Sequence, residues 1–106
     1  MRDQCSGQIA VVFSSRLIRD DPDYHRAAAE MAVLAAAQPG YLGVESARGD
    51  DGVGITVSYW SDEEAAIAWR HHGEHSLIRA EGRERWYNWY RVTVARVERS
   101  YCWQRP

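Results

Sequence analysis

Apolar and polar residues alternate along three stretches of the chain and fall at helical spacing along others. In residues 8–14, Ile9, Val11 and Phe13 alternate with Ala10, Val12 and Ser14. Both sets are largely apolar, which predicts a strand covered on both faces and therefore central in its sheet. Tyr24, Ala27, Ala28, Met31, Leu34 and Ala35 then recur at i, i+3, i+4, i+7, i+10 and i+11, the stripe of an amphipathic helix. Asp21 is a good cap for it, and Pro22 suits the first helical position. Gln38-Pro39-Gly40 closes it. Tyr41–Arg48 and Val53–Trp60 read as two strands of a hairpin around the turn Gly49-Asp50-Asp51-Gly52, with Val53, Ile55, Val57 and Tyr59 on one face.

Ser61-Asp62-Glu63-Glu64 has the spacing of a capping box, with Ser61 as cap and Glu64 reaching back to it. A second helix is predicted from there to about His72, broken or bent at Gly73, with a further helical stretch over residues 74–84. Residues 87–101 read as a long last strand with Tyr90, Val92 and Val94 on one face. A phase change near Ala95-Arg96 predicts a bulge there or a switch of burial partner along the strand. The order β-α-β-β-α-β is the ferredoxin-like split βαβ arrangement of an α+β protein, a four-stranded antiparallel sheet with helices on one face. Apolar residues on both faces of three strands predict that a second sheet covers the other side, so the chain is expected to form a homodimer.

Length and composition narrow the reading. The 106 residues fit a single domain with its core over about 8–102. The formal net charge of −2 gives no basic excess for nucleic acid or anionic membrane. All 13 basic residues are arginine, which removes lysine Schiff-base chemistry. No apolar run approaches the roughly 20 residues of a membrane span. Met1 to Gly7 is polar and unlike a signal peptide, so a cytoplasmic protein without membrane partners is expected. Cys5 and Cys102 lack metal-site spacing. In a reducing compartment they are expected as free thiols. The fold brings the start of the first strand near the end of the last, which leaves a Cys5–Cys102 bond open as the alternative.

The densest chemistry lies in Trp69-Arg70-His71-His72-Gly73-Glu74-His75. Trp69 and His72 share a helical face, as do His72 and His75. His71 and His75 have the i, i+4 spacing of a metal pair, but Gly73 interrupts them and there is no HExxH pattern. No metal is therefore expected. His71 reads as a solvated residue of the helix end. His72 or His75 suits a pocket proton carrier, and Trp69 suits a pocket wall. Tyr24, Tyr59, Tyr90 and Arg91 are further candidates that spacing does not rank. Arg79, Arg83 and Arg85 read as a solvated face. There is no GxGxxG, P-loop or GxSxG pattern, so no nucleotide site is expected.

Taken together, Gln38 to Gly43, Tyr59 to Ala65, Trp69 to His75, Gly82 to Tyr87 and the closing Tyr90 to Arg99 resemble the antibiotic biosynthesis monooxygenase superfamily of dimeric α+β barrels. The resemblance spans about Ile9 to Tyr101. It implies two sheets packed face to face in a homodimer, with a pocket in each protomer between sheet and helices. Family members include cofactor-independent monooxygenases that oxidise polycyclic phenols or anthrones to quinones, and others that degrade haem. Trp69 falls on the pocket tryptophan of both branches. Ser15 falls where the haem-degrading branch has an asparagine, and Arg79 where it has its proximal histidine. The resemblance thus implies a monooxygenase that needs no cofactor and acts on a small aromatic substrate. Trp69, His72 and His75 would be its catalytic residues, and Tyr24, Tyr59, Tyr90 and Ser15 would join Trp69 around the substrate. The alternatives are a haem-binding or haem-degrading protein and a dimeric binding module without catalysis.

Overall fold

The computed structural model describes residues 7–73 and 85–106. In chain order the elements are β1 (Ile9–Leu17), α1 (Pro22–Ala36), β2 (Tyr41–Arg48), β3 (Val53–Trp60), α2 (Glu63–Gly73) and β4 (Tyr87–Arg96). The sheet is antiparallel in the order β2-β3-β1-β4. The protomer is ferredoxin-like, as its pattern predicts, and β1 is central, paired with β3 on one side and β4 on the other. The expected helical stretch over 74–84, His75 and Cys5 lie outside the described residues. Cys102 is exposed and has no disulfide partner among the described residues.

Strand β1 runs three residues further than its apolar alternation. Ser15 and Arg16 interrupt that pattern, yet both stay in the ladder, opposite Gly54 and Val53 of β3 and opposite Tyr90 and Trp89 of β4. Strand β4 is shorter than predicted because its partner runs out. Arg96 lies opposite Ile9, the first residue of β1, and only Val97 extends the pairing, through Gly7 and Gln8. The bulge sits at the other end of β4, where Leu17 faces Tyr87 and Arg16 faces Trp89. Residues 97–106 have no regular structure, and Tyr101 and Trp103 are exposed there.

Asp21 caps α1 in extended conformation, its side chain accepting from the Asp23 amide at 2.9 Å, with Pro22 in the first turn. The cap of α2 is Asp62 rather than Ser61: Asp62 Oδ1 accepts from the Ala65 amide at 2.8 Å. The Ser61 backbone is engaged elsewhere, its amide donating to the Gly40 carbonyl at 2.8 Å. Gly40 joins α1 to β2 at φ +83°, in the left-handed region. A Cβ there would lie 2.6 Å from Ala65 Cβ, so this turn and the start of α2 meet in a space that only glycine fits.

Register divides the sheet into two unlike faces. Toward the helices point Ile9, Val11 and Phe13 of β1, and opposite the last two come Ser58 and Thr56 of β3. Val53, Ile55, Val57 and Tyr59, the apolar set predicted to share a face, point away from the helices with Val12 and Trp89. Ile55 remains 50% exposed and Trp89 41%. Two apolar clusters hold the helices to the sheet. One gathers Ile9, Val11, Ala35, Trp60 and Ala66, and the other Leu17, Tyr24, Trp86 and Tyr87. Among the described residues no helix is long and apolar enough to cross a membrane.

Candidate active site

Between the two clusters lies a cavity of about 390 Å³. Its origin is visible in the side chains that meet there. The inner face of α1 offers Ala28, Ala32 and Ala35, and the strands below offer Ser46, Thr56 and Ser58. Short side chains on both sides leave a gap that close packing would otherwise fill. The walls are mainly apolar, with a few convergent polar groups, the make-up of a small-molecule site.

One wall is Trp69 of α2. Its ring stacks at 5.7 Å on Trp60, whose indole nitrogen donates to Ser58 Oγ at 2.9 Å. Trp60 is fully buried, so Trp69 is backed by a fixed surface. On its other side Trp69 stacks at 5.5 Å on His72. His72 is exposed and does not itself line the cavity. The three rings thus form one stack from core to solvent.

Behind Tyr24, outside the cavity lining, lies a polar cluster. Arg48, the last residue of β2, lays its guanidinium across β3 above Gly54. It donates to Ser15 Oγ at 3.0 Å, to the Ser15 carbonyl at 3.3 Å and to the Gly52 carbonyl. It also donates to Tyr24 Oη at 3.1 Å while standing 5.5 Å from the centre of the Tyr24 ring. Tyr24 packs edge-on against Trp86 and Tyr87 at 5.7 and 5.8 Å. The buried hydroxyl of Tyr87 and the indole N–H of Trp86 have no hydrogen-bond partner within bonding distance among the described residues. Burial pushes the Tyr87 hydroxyl well above the usual tyrosine range, and the neighbouring Tyr24 adds to the rise.

Of the residues proposed from sequence, Trp69 and Tyr24 line the cavity. Ser15 is fully buried in the polar cluster behind Tyr24, held by Arg48. Tyr90 is also one layer back, stacked at 5.9 Å on Phe13, which lines the cavity. Tyr59 stands on the far face of the sheet and donates to Glu45 at 3.1 Å. Arg48 and Tyr87 were not singled out by sequence. A signal for Arg48 existed: Gly54 lies inside a strand, and a strand glycine often marks a close approach of another group. Among the described residues no histidine lines the cavity, so the haem alternative gains no axial histidine from them.

Fold and cavity together give a ferredoxin-like protomer with a largely apolar cavity between sheet and helices. The chain belongs to the antibiotic biosynthesis monooxygenase family, whose model matches residues 20–81. Over 95 residues it is 50% identical to the uncharacterised protein YqjZ of Bacillus subtilis, covering 90% of this chain and 83% of that one. Among solved structures it is similar to SnoaB, a cofactor-independent oxygenase from Streptomyces nogalater, at a TM-score of 0.70 and 14% identity, covering 90% of this chain and 97% of that one. A conserved protein from Methanosarcina mazei aligns at a TM-score of 0.70 and 12% identity, covering 88% and 95%. At such identities the structural likeness speaks for the fold.

Proposed function

We propose that the chain is a cofactor-independent monooxygenase that oxidises an electron-rich phenolic or polycyclic aromatic held in the cavity. The observation that carries this reading is the cavity itself, apolar and walled by a tryptophan ring. Family membership and the likeness to SnoaB, itself described as cofactor-independent, support it. The overall change is balanced without a cofactor. A ring CH₂ or the C–H of a phenol becomes a carbonyl, one atom of O₂ enters the product, and the other leaves as water with the two hydrogens. The substrate supplies the electrons.

The protein's part is to exclude water, orient the ring and take up a proton. Trp69 offers a flat, rigid face for stacking. His72, one ring beyond Trp69, or His75, three residues on, is the proposed proton acceptor. The working unit is proposed to be a homodimer. The face of the sheet turned from the helices carries Val12, Ile55, Val57 and Trp89, an apolar surface of the kind a second sheet covers. Exposed Tyr101 and Trp103 at the chain end would reach onto the second copy.

The test is incubation of the purified protein with 1,8-dihydroxyanthrone, with and without air, followed by quinone absorbance. Air-dependent product without added cofactor, reduced at least tenfold in kcat/KM by Trp69→Ala, is expected. Saturable binding without product in air would make the protein a binding module instead.

A further inference from the structure

We propose that Tyr24, pinned by Arg48, is the stop that sets how long a substrate the cavity admits. The role rests on the proposed function and deepens it, adding a length limit to the phenolic aromatic.

Every second residue of a strand points to the same face, so register lays the helix-facing side chains in rows across the sheet. The row Val11, Ser58 and Val44 and the row Phe13, Thr56 and Ser46 floor the cavity. The next row is Ser15, Gly54 and Arg48. Beyond it Leu17 and Gly52, joined by a backbone hydrogen bond at 3.1 Å, line a second, polar cleft of about 370 Å³. Above the floor α1 runs about 16 Å from Ala35 back to Tyr24, and both residues line the cavity. Ala35 shares a cluster with Trp69, and Tyr24 closes the other end.

One row therefore separates two spaces. Tyr24 lines the cavity and packs in one cluster with Leu17, which lines the cleft. Arg48 lines the cleft and donates to Tyr24 Oη at 3.1 Å. Arg48 is itself held, donating to Ser15 Oγ at 3.0 Å and to the Ser15 and Gly52 carbonyls. Ser15 is fully buried, so the anchor is fixed to the middle of the sheet. A bond from a charged donor is stronger than a neutral one, and it holds the Tyr24 side chain across the end of the cavity. Trp86 and Tyr87 brace the ring edge-on at 5.7 and 5.8 Å. A substrate ring lying on Trp69 has room to extend along α1, over Phe13 and Thr56, until it meets Tyr24. A longer substrate has to displace both the ring and its anchor.

The probes are 4-alkylphenols with straight chains from ethyl to octyl, titrated into the full-length protein by calorimetry. Affinity is expected to rise about fourfold per methylene while the chain is being buried. At one chain length the rise should break, with the next homologue at least tenfold weaker than the trend. Tyr24→Leu is expected to move the break at least two methylenes longer. Arg48→Met keeps the ring and removes its anchor, and should relieve the penalty on the first overlong chain at least threefold. Arg48→Met decides the matter alone if Tyr24→Leu does not fold. A break and penalty unchanged in Arg48→Met or in folded Tyr24→Leu would overturn the stop and leave phenol binding standing, as would a wild-type affinity that rises without a break through octyl. No saturable binding at any length would instead overturn the phenolic reading, and the stop with it.

Discussion

A Cβ on Gly54 would stand 2.6 Å from the guanidinium carbon of Arg48. The glycine is what lets this arginine, on β2, cross β3 to reach Ser15 on β1 and Tyr24 on α1. The polar cluster behind Tyr24 therefore depends on a residue with no side chain. The clash falls on the far end of a flexible side chain, so Gly54→Ala should displace Arg48 and leave the sheet intact. We expect a loss of about 1.5–3 kcal/mol, the range for hydrogen bonds made by a charged group. In a double-mutant cycle with Arg48→Met, measured by urea unfolding, the two changes should fall well short of additive, since each removes the same contacts. Full additivity would show that Gly54 and Arg48 act independently.

Tyr87 gives stability a signature at high pH. Its hydroxyl ionises far less readily in the folded protein than in an unfolded chain. Above the ordinary tyrosine value of about 10 the unfolded state loses this proton and the folded state keeps it. The unfolded state then binds fewer protons, so stability falls as pH rises, by up to about 1.4 kcal/mol per pH unit from this residue. Below pH 10 its contribution is constant. Unfolding curves between pH 9 and 11 should show wild type falling more steeply than Tyr87→Phe; parallel curves would contradict the burial described for this hydroxyl.

The sheet face turned from the helices offers a third expectation. Ile55→Glu places a charge on a position that is half exposed in the protomer. It should leave the isolated protomer folded, because that side chain packs on nothing in the core clusters. If this face is the dimer interface, light scattering should give a dimer mass for wild type and a monomer mass for the variant at micromolar concentration. A wild-type monomer across the accessible concentration range would remove the dimer.

How far these features could be read from sequence varies with the kind of interaction. Asp21-Pro22 announced α1 because a cap is a local event. The α2 cap was displaced by one residue, since Ser61 and Asp62 are both good caps and the choice was made by a distant partner, Gly40, which holds the Ser61 amide. The end of β1 was hidden because Ser15 and Arg16 look like a loop. They remain strand because Ser15 is satisfied by Arg48, 33 residues away in sequence. Alternation marked Ile55, Val57 and Tyr59 as one face but did not say that this face turns outward. Trp69 was legible as a pocket candidate from its helical face, and Tyr24 stood among candidates that spacing does not rank. Arg48 and Tyr87 were not, because their roles arise from cross-strand register and from a packing gap that no local pattern records.

Insertion of one atom of molecular oxygen into an aromatic without a cofactor is read directly by isotope labelling. Purified protein, dialysed against chelator and free of flavin and haem absorbance, is given 1,8-dihydroxyanthrone under ¹⁸O₂, and in parallel under ordinary oxygen in H₂¹⁸O. Mass spectrometry of the quinone, corrected for slow exchange and for the protein-free reaction, should show one labelled oxygen from the gas and none from the water. Label arriving from water, or product no faster than in the protein-free control, would contradict the account.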